Sequence, residues 1–155
     1  MIRTGHLTTA LTKGATFSSW LAAACLLGMM GATCLDVALR FFRYPIAGAY
    51  ETVGFLGALM VAFALADTTL KGGHIAVEFL ADKLPPASRK WLNRTVTLVL
   101  IILFSLLTLR MGRHALELKE AAEVSMTLKI PVWPVVTGIT AGMGLFVAVL
   151  VTRLR

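Results

Sequence analysis

WLNRTVTLVLIILFSLLTL, running from Trp91 to Leu109, decides the fold. A transmembrane helix needs about 20 mostly apolar residues to cross a hydrocarbon core of roughly 30 Å, and this stretch has that length and composition. Three further segments qualify on the same grounds: Phe17 to Leu39, Ile46 to Leu70 and Val132 to Val151. Trp20, Phe41, Phe42, Tyr44, Tyr50, Trp91 and Trp133 gather at their borders. Trp and Tyr rings, with one apolar and one polar end, settle at the membrane-water boundary, so the four segments support one another.

Composition agrees. Of 155 residues, 57% are hydrophobic and 15% are charged, against about 25% charged in a soluble domain. That is too little polar surface to cover a water-soluble globule. The formal charge of +7 raises the question of nucleic acid. Lys and Arg sit at the ends of apolar runs and form no basic stripe with interleaved aromatics, so they read as the cationic flanks of membrane segments and no nucleic-acid partner is expected. With no repeat or low-complexity segment, the expectation is a single all-α membrane domain over residues 1–155.

Arg3, His6 and Lys13 precede an apolar run, as in a signal peptide, and LAAAC (Leu21 to Cys25) faintly resembles a lipoprotein cleavage box. The apolar run continues past Cys25, beyond the roughly 7–15 residues of a cleaved segment, so an uncleaved first span is expected. Cys25 and Cys34 have no second pair to complete a metal site and read as small packing residues.

Basic flanks resist translocation. With the N-terminus cytoplasmic, the inner side collects Arg3, Lys13, Lys71, Lys83, Arg89, Lys90, Arg94, Arg153 and Arg155, and the outer side Arg40, Arg43, Arg110, Arg113, Lys119 and Lys129. Nine against six places both termini in the cytoplasm.

An ionisable residue at the bilayer centre usually marks an ion or proton path. No span carries one near its middle: Asp36, Glu51, Asp67 and Arg110 all lie near span ends. Asp36 and Arg40 are one helical turn apart and should neutralise each other. The spans instead contain small residues at helical spacing, Ala58, Ala62 and Ala66 in the second and Gly138 with Gly142 in the fourth. Such residues let helix backbones approach closely.

The connections are polar. In RFFRYPIAGAYE (Arg40 to Glu51), Pro45 breaks the first helix and Gly48 eases the restart. Glu117, Glu120 and Glu123 fit a helix running out into water, which KIPVWP (Lys129 to Pro134) then stops. After the second span comes KGGHIAVEFLADKLPP, Lys71 to Pro86. Its glycines suit a helix end. His74, Glu78 and Asp82 fall on one face, with Ile75, Phe79, Leu80 and Leu84 on the other. That pattern predicts a short amphipathic helix over about 74–84 lying in the interface, ended by Pro85 and Pro86. Ser88 can cap the third span. His74 and Glu78 alone fall short of the about four ligands of a closed metal site, so no metal and no cofactor is expected.

Arg40 and Glu51 around the first outer turn, KGGHIAVEFLADKLP after the second span and KIPVWP before the last together resemble a known family. It is the small membrane subunit of the tripartite ATP-independent periplasmic (TRAP) transporters, the DctQ-like proteins. The resemblance covers nearly the whole chain in length, span count and order, and its most specific part is the glycine, histidine, acid and Leu-Pro series. Glu78 stands where the family often has Asp, and Thr140 where many members have a proline. The resemblance implies a scaffold subunit in the bacterial inner membrane. Its partners would be a large DctM-like membrane subunit, which couples sodium to uptake of an organic acid, and a periplasmic substrate-binding protein. Arg40, Glu51, Gly73, His74, Glu78 and Pro85 become structural or subunit-contact candidates, and no catalytic residue is expected.

Two other classes compete. A haem-carrying anchor of a respiratory enzyme needs two histidines facing one iron. On the expected topology His74 and His114 lie about a membrane thickness, roughly 30 Å, apart, and His6 with His74 has no buried setting. A small dimeric exporter needs a carboxylate buried in a span, for which Glu51 is the candidate.

Overall fold

The computed structural model describes residues 3–70 and 86–154, with side chains over 11–70 and 91–152. The described residues form four helices: α1 (Arg3–Phe41), α2 (Ala49–Leu70), α3 (Pro86–Glu120) and α4 (Trp133–Leu154). All four are long and apolar enough to cross a membrane. Among the described residues there is no strand, only an isolated bridge between Val124 and Pro131. The amphipathic helix expected over 74–84 lies outside the described residues.

The helices pack in the order α1, α2, α4, α3. α2 is sandwiched between α1 and α4, whereas α3 lies at the edge and packs on α4 alone among the described helices. The α2–α4 seam is built around small residues. Gly142 sits so close to α2 that a Cβ placed on it would stand 2.7 Å from the Ala62 carbonyl oxygen, and one on Gly138 would stand 2.8 Å from Leu59 Cδ2. Ala62 is only 2% exposed. Side chains this small bring backbones into van der Waals contact, which is how helices associate where lipid removes the usual hydrophobic drive. At one end of this seam Ala15, Ala66, Phe146, Val149 and Leu150 form the main core cluster. Ser18 adds a polar tie, donating its hydroxyl to the Phe63 carbonyl at 2.6 Å.

The outward faces carry the large apolar side chains. Leu27, Val99, Ile102, Leu103 and Leu106 are all exposed. A soluble domain would bury them; here they are the surface that hydrocarbon solvates.

α3 runs past the Leu109 border expected from hydropathy. Met111, Ala115 and Leu118 continue its apolar stripe and pack against Val132, Trp133 and Val136 of the facing segment. Lys119 Nζ lies 5.3 Å from the centre of the Trp133 ring. The charged side chains of this last part lower its hydropathy, so composition alone hid a packed helix. The helix also stops at Glu120, well before KIPVWP, and Glu123 belongs to the connection.

Candidate functional site

The polar chemistry of the described chain concentrates where the α1–α2 and α3–α4 connections meet. Each connection begins with the same helix stop. At the end of α1, Tyr44 N–H donates to the Leu39 carbonyl at 2.9 Å and Arg43 N–H to the Arg40 carbonyl at 3.0 Å. At the end of α3, Glu123 N–H donates to Leu118 at 3.1 Å and Ala122 N–H to Lys119 at 3.3 Å. This is the Schellman pattern, which needs a left-handed residue just past the helix. Arg43 (φ 65°) and Ala122 (φ 48°) hold that conformation, where glycine is the usual choice.

Asp36 organises the first connection from inside α1. Its Oδ2 accepts from Arg40 Nε at 2.8 Å, and its Oδ1 accepts from the Ile46 backbone N–H at 3.0 Å. The pairing with Arg40 was legible from the spacing. The second bond fastens the chain just after Pro45 to the last turns of α1. Arg40 also places its guanidinium 5.6 Å from the centre of the Tyr50 ring, a cation–π arrangement that fixes its direction. Gly48 (φ 82°) then turns the chain into α2.

The second connection folds back on itself. Ser125 N–H donates to the Ile130 carbonyl at 2.9 Å and Val132 N–H to Glu123 at 3.2 Å, pairing the two arms of a small hairpin. At its tip Lys129 takes φ 53° and Met126 is 95% exposed.

Glu51 joins the two connections. From the first turn of α2 its carboxylate accepts Ser125 Oγ–H, Thr127 N–H at 3.0 Å and Leu128 N–H at 3.1 Å. A carboxylate is the right group for this work, since it only accepts and can serve several donors at once. It also stands at a helix N-terminus, where the macrodipole favours negative charge. Leu128 in turn lies over Gly48, where an added Cβ would come within 2.5 Å of Leu128 Cγ.

Arg40 and Glu51 are thus brought to the same end of the bundle, each committed to a different partner. Gly73, His74, Glu78 and Pro85 lie outside the described residues. Ser125, Thr127 and Leu128 were not found from sequence: Ser125 meets Glu51 across 74 positions, and nothing in its neighbours announces that contact. A separate polar patch lies on the edge helix, where Arg110, Arg113, His114 and Glu117 line one shallow hollow. There His114 Nδ1 is 3.5 Å from Glu117 Oε2. Among the described residues no three His, Cys, Asp or Glu side chains group as a metal site.

Among the described residues, four helices long and apolar enough to cross a membrane define a multi-pass membrane protein, with its polar contacts concentrated at one end. Residues 29–155 match the family model of the tripartite ATP-independent periplasmic transporters, DctQ component. The chain belongs to the DctQ family and is a component of a TRAP transporter. No curated protein and no solved structure matched it.

Proposed function

We propose that this chain is the scaffold subunit of its transporter. It packs beside a large DctM-like membrane subunit, holds that subunit in the bacterial inner membrane and presents part of the periplasmic surface to a substrate-binding protein. Sodium coupling and the organic-acid path belong to the large subunit, and this chain performs no catalysis. Both termini face the cytoplasm, which puts the Glu51 end on the periplasmic side.

The observation that supports this reading best is the Glu51 carboxylate, held by three donors from the 125–128 turn. A coupling carboxylate must be free to exchange its partner, whereas this one spends its acceptor capacity on holding a surface in shape. That argues against the self-contained exporter.

The test is deletion of this chain from a host that carries the other components. Substrate uptake is expected to be lost while substrate binding by the periplasmic protein is unchanged. Uptake that survives the deletion would overturn the scaffold assignment. A reporter fused to the C-terminus that is active only in the periplasm would overturn the orientation.

A further inference from the structure

Near the Trp133 end, a groove runs along the outside of the packed α3–α4 pair. It has a volume of about 690 Å³ and is lined by Thr108, Gly112, Leu116, Thr137, Thr140 and Ala141 among others. Gly112 and Thr140 form part of its floor, since a Cβ on Gly112 would stand 3.6 Å from Thr140 Cγ2.

The walls are more apolar than their sequence implies. Thr108 donates its hydroxyl to the Phe104 carbonyl at 2.7 Å, Thr137 to Trp133 at 2.8 Å and Thr140 to Val136 at 2.8 Å. All three threonines have therefore spent their donors on their own helices and can turn methyl groups toward the groove. The charged side chains that line it are Arg113 and Lys119, and no Asp or Glu does. Among the described residues neither cation makes an ion pair. Both have long stems that can carry charge along an apolar wall to the rim.

We propose that this groove binds one anionic phospholipid. An acyl chain lies against the threonine methyls, Gly112 and Ala141, and the phosphate is held by Arg113 and Lys119 beside Trp133. Length decides for lipid over a transmembrane helix of a partner. Thr108 and Lys119 are about 16 Å apart along α3, half of the roughly 30 Å hydrocarbon core. A partner helix would need a groove running the full thickness, but the α3 residues that line this one run only from Thr108 to Lys119, as one leaflet of lipid requires. Basic pockets between membrane helices select anionic headgroups, and an aromatic at the mouth marks interfacial depth. This inference does not depend on the transporter's substrate, coupling ion or orientation.

The experiment uses the full chain purified in an uncharged detergent and offered phosphatidylglycerol or phosphatidylcholine, with bound lipid counted by native mass spectrometry. The wild-type chain is expected to take one phosphatidylglycerol with a preference of about tenfold or more over phosphatidylcholine, in line with two basic contacts. Arg113→Gln with Lys119→Gln should bring the two lipids to within about twofold, and raising salt should narrow the wild-type preference without any mutation. Ala141→Phe, whose ring would fill the groove from an exposed position, should lower binding of both. The proposal fails if the wild type shows no preference, if the preference survives both the double substitution and high salt, or if Ala141→Phe leaves the bound lipid in place. A photo-crosslinking residue at Thr137, used in cells carrying the whole transporter, should label lipid. Labelling of another polypeptide alone would give the groove to a protein helix and overturn the proposal.

Discussion

Gly142 of α4 rests on the backbone of Ala62 in α2, so closely that a Cβ on the glycine would stand 2.7 Å from the Ala62 carbonyl oxygen and 2.9 Å from its carbonyl carbon. The atoms in the way are main-chain atoms of a helix and cannot rotate aside. Gly142→Ala is therefore expected to push α2 and α4 apart and to destabilise the bundle by about 1–3 kcal/mol, the usual cost of overpacking. Gly144→Ala supplies the control. Its new Cβ would meet nothing nearer than Thr108 Cγ2 at 3.8 Å, and replacing a helical glycine contributes up to about 1 kcal/mol. Thermal unfolding in detergent should separate the two variants in opposite directions.

Glu51→Ala should free the 125–128 turn. The Ser125 hydroxyl and the amides of Thr127 and Leu128 lose their shared acceptor at once, and the loop keeps only its own short ladder and the packing of Leu128 on Gly48. Hydrogen exchange at Thr127 and Leu128 is expected to speed up by about tenfold or more, since bonds to a charged acceptor are the stronger kind. Glu51→Gln should fall between wild type and alanine, because its amide keeps one acceptor oxygen and turns an NH2 toward donors. Unchanged exchange in the alanine variant would mean that the turn is held by other contacts.

The four spans were legible because a bilayer imposes length and apolarity on every crossing segment, and both are visible residue by residue. The seam was legible for a related reason: Ala62, Gly138 and Gly142 are small where a membrane helix has no other need to be. Two things were hidden. The last part of α3 carries Arg110, Arg113, Glu117 and Glu120, which lower its hydropathy, while its packing depends on Met111, Ala115 and Leu118 facing α4. The tie between Glu51 and Ser125 is a long-range contact between a helix start and a loop, and no local pattern encodes it. Arg40 was correctly paired with Asp36 because that contact is one helical turn long.

Ala122 holds a left-handed conformation (φ 48°) at the stop of α3. A left-handed alanine costs about 1–2 kcal/mol, and glycine removes most of that while adding some unfolded-state entropy. Ala122→Gly is expected to raise stability by up to about 1 kcal/mol and to leave the α3 boundary in place, whereas Ala122→Val should lower it, since branching at Cβ makes this conformation worse. Melting temperatures of the two variants check the sign.

Gly48 and Leu128 give the sharpest test of how the two connections lock together. Gly48 takes φ 82°, and an added Cβ would come within 2.5 Å of Leu128 Cγ and 2.9 Å of its Cδ2. Leu128 cannot simply back away, because its N–H is held by the Glu51 carboxylate at 3.1 Å. Gly48→Ala therefore carries two costs, backbone strain of about 1–3 kcal/mol and a steric clash across the interface of the two turns. Leu128→Ala removes the clash and leaves the strain. A double-mutant cycle should show that Gly48→Ala is less damaging in the Leu128→Ala background, with a coupling of about 0.5–3 kcal/mol. The residual loss then measures the strain at residue 48 alone. Full additivity of the two substitutions would mean that the connections do not bear on each other through this pair, leaving Glu51 as their link.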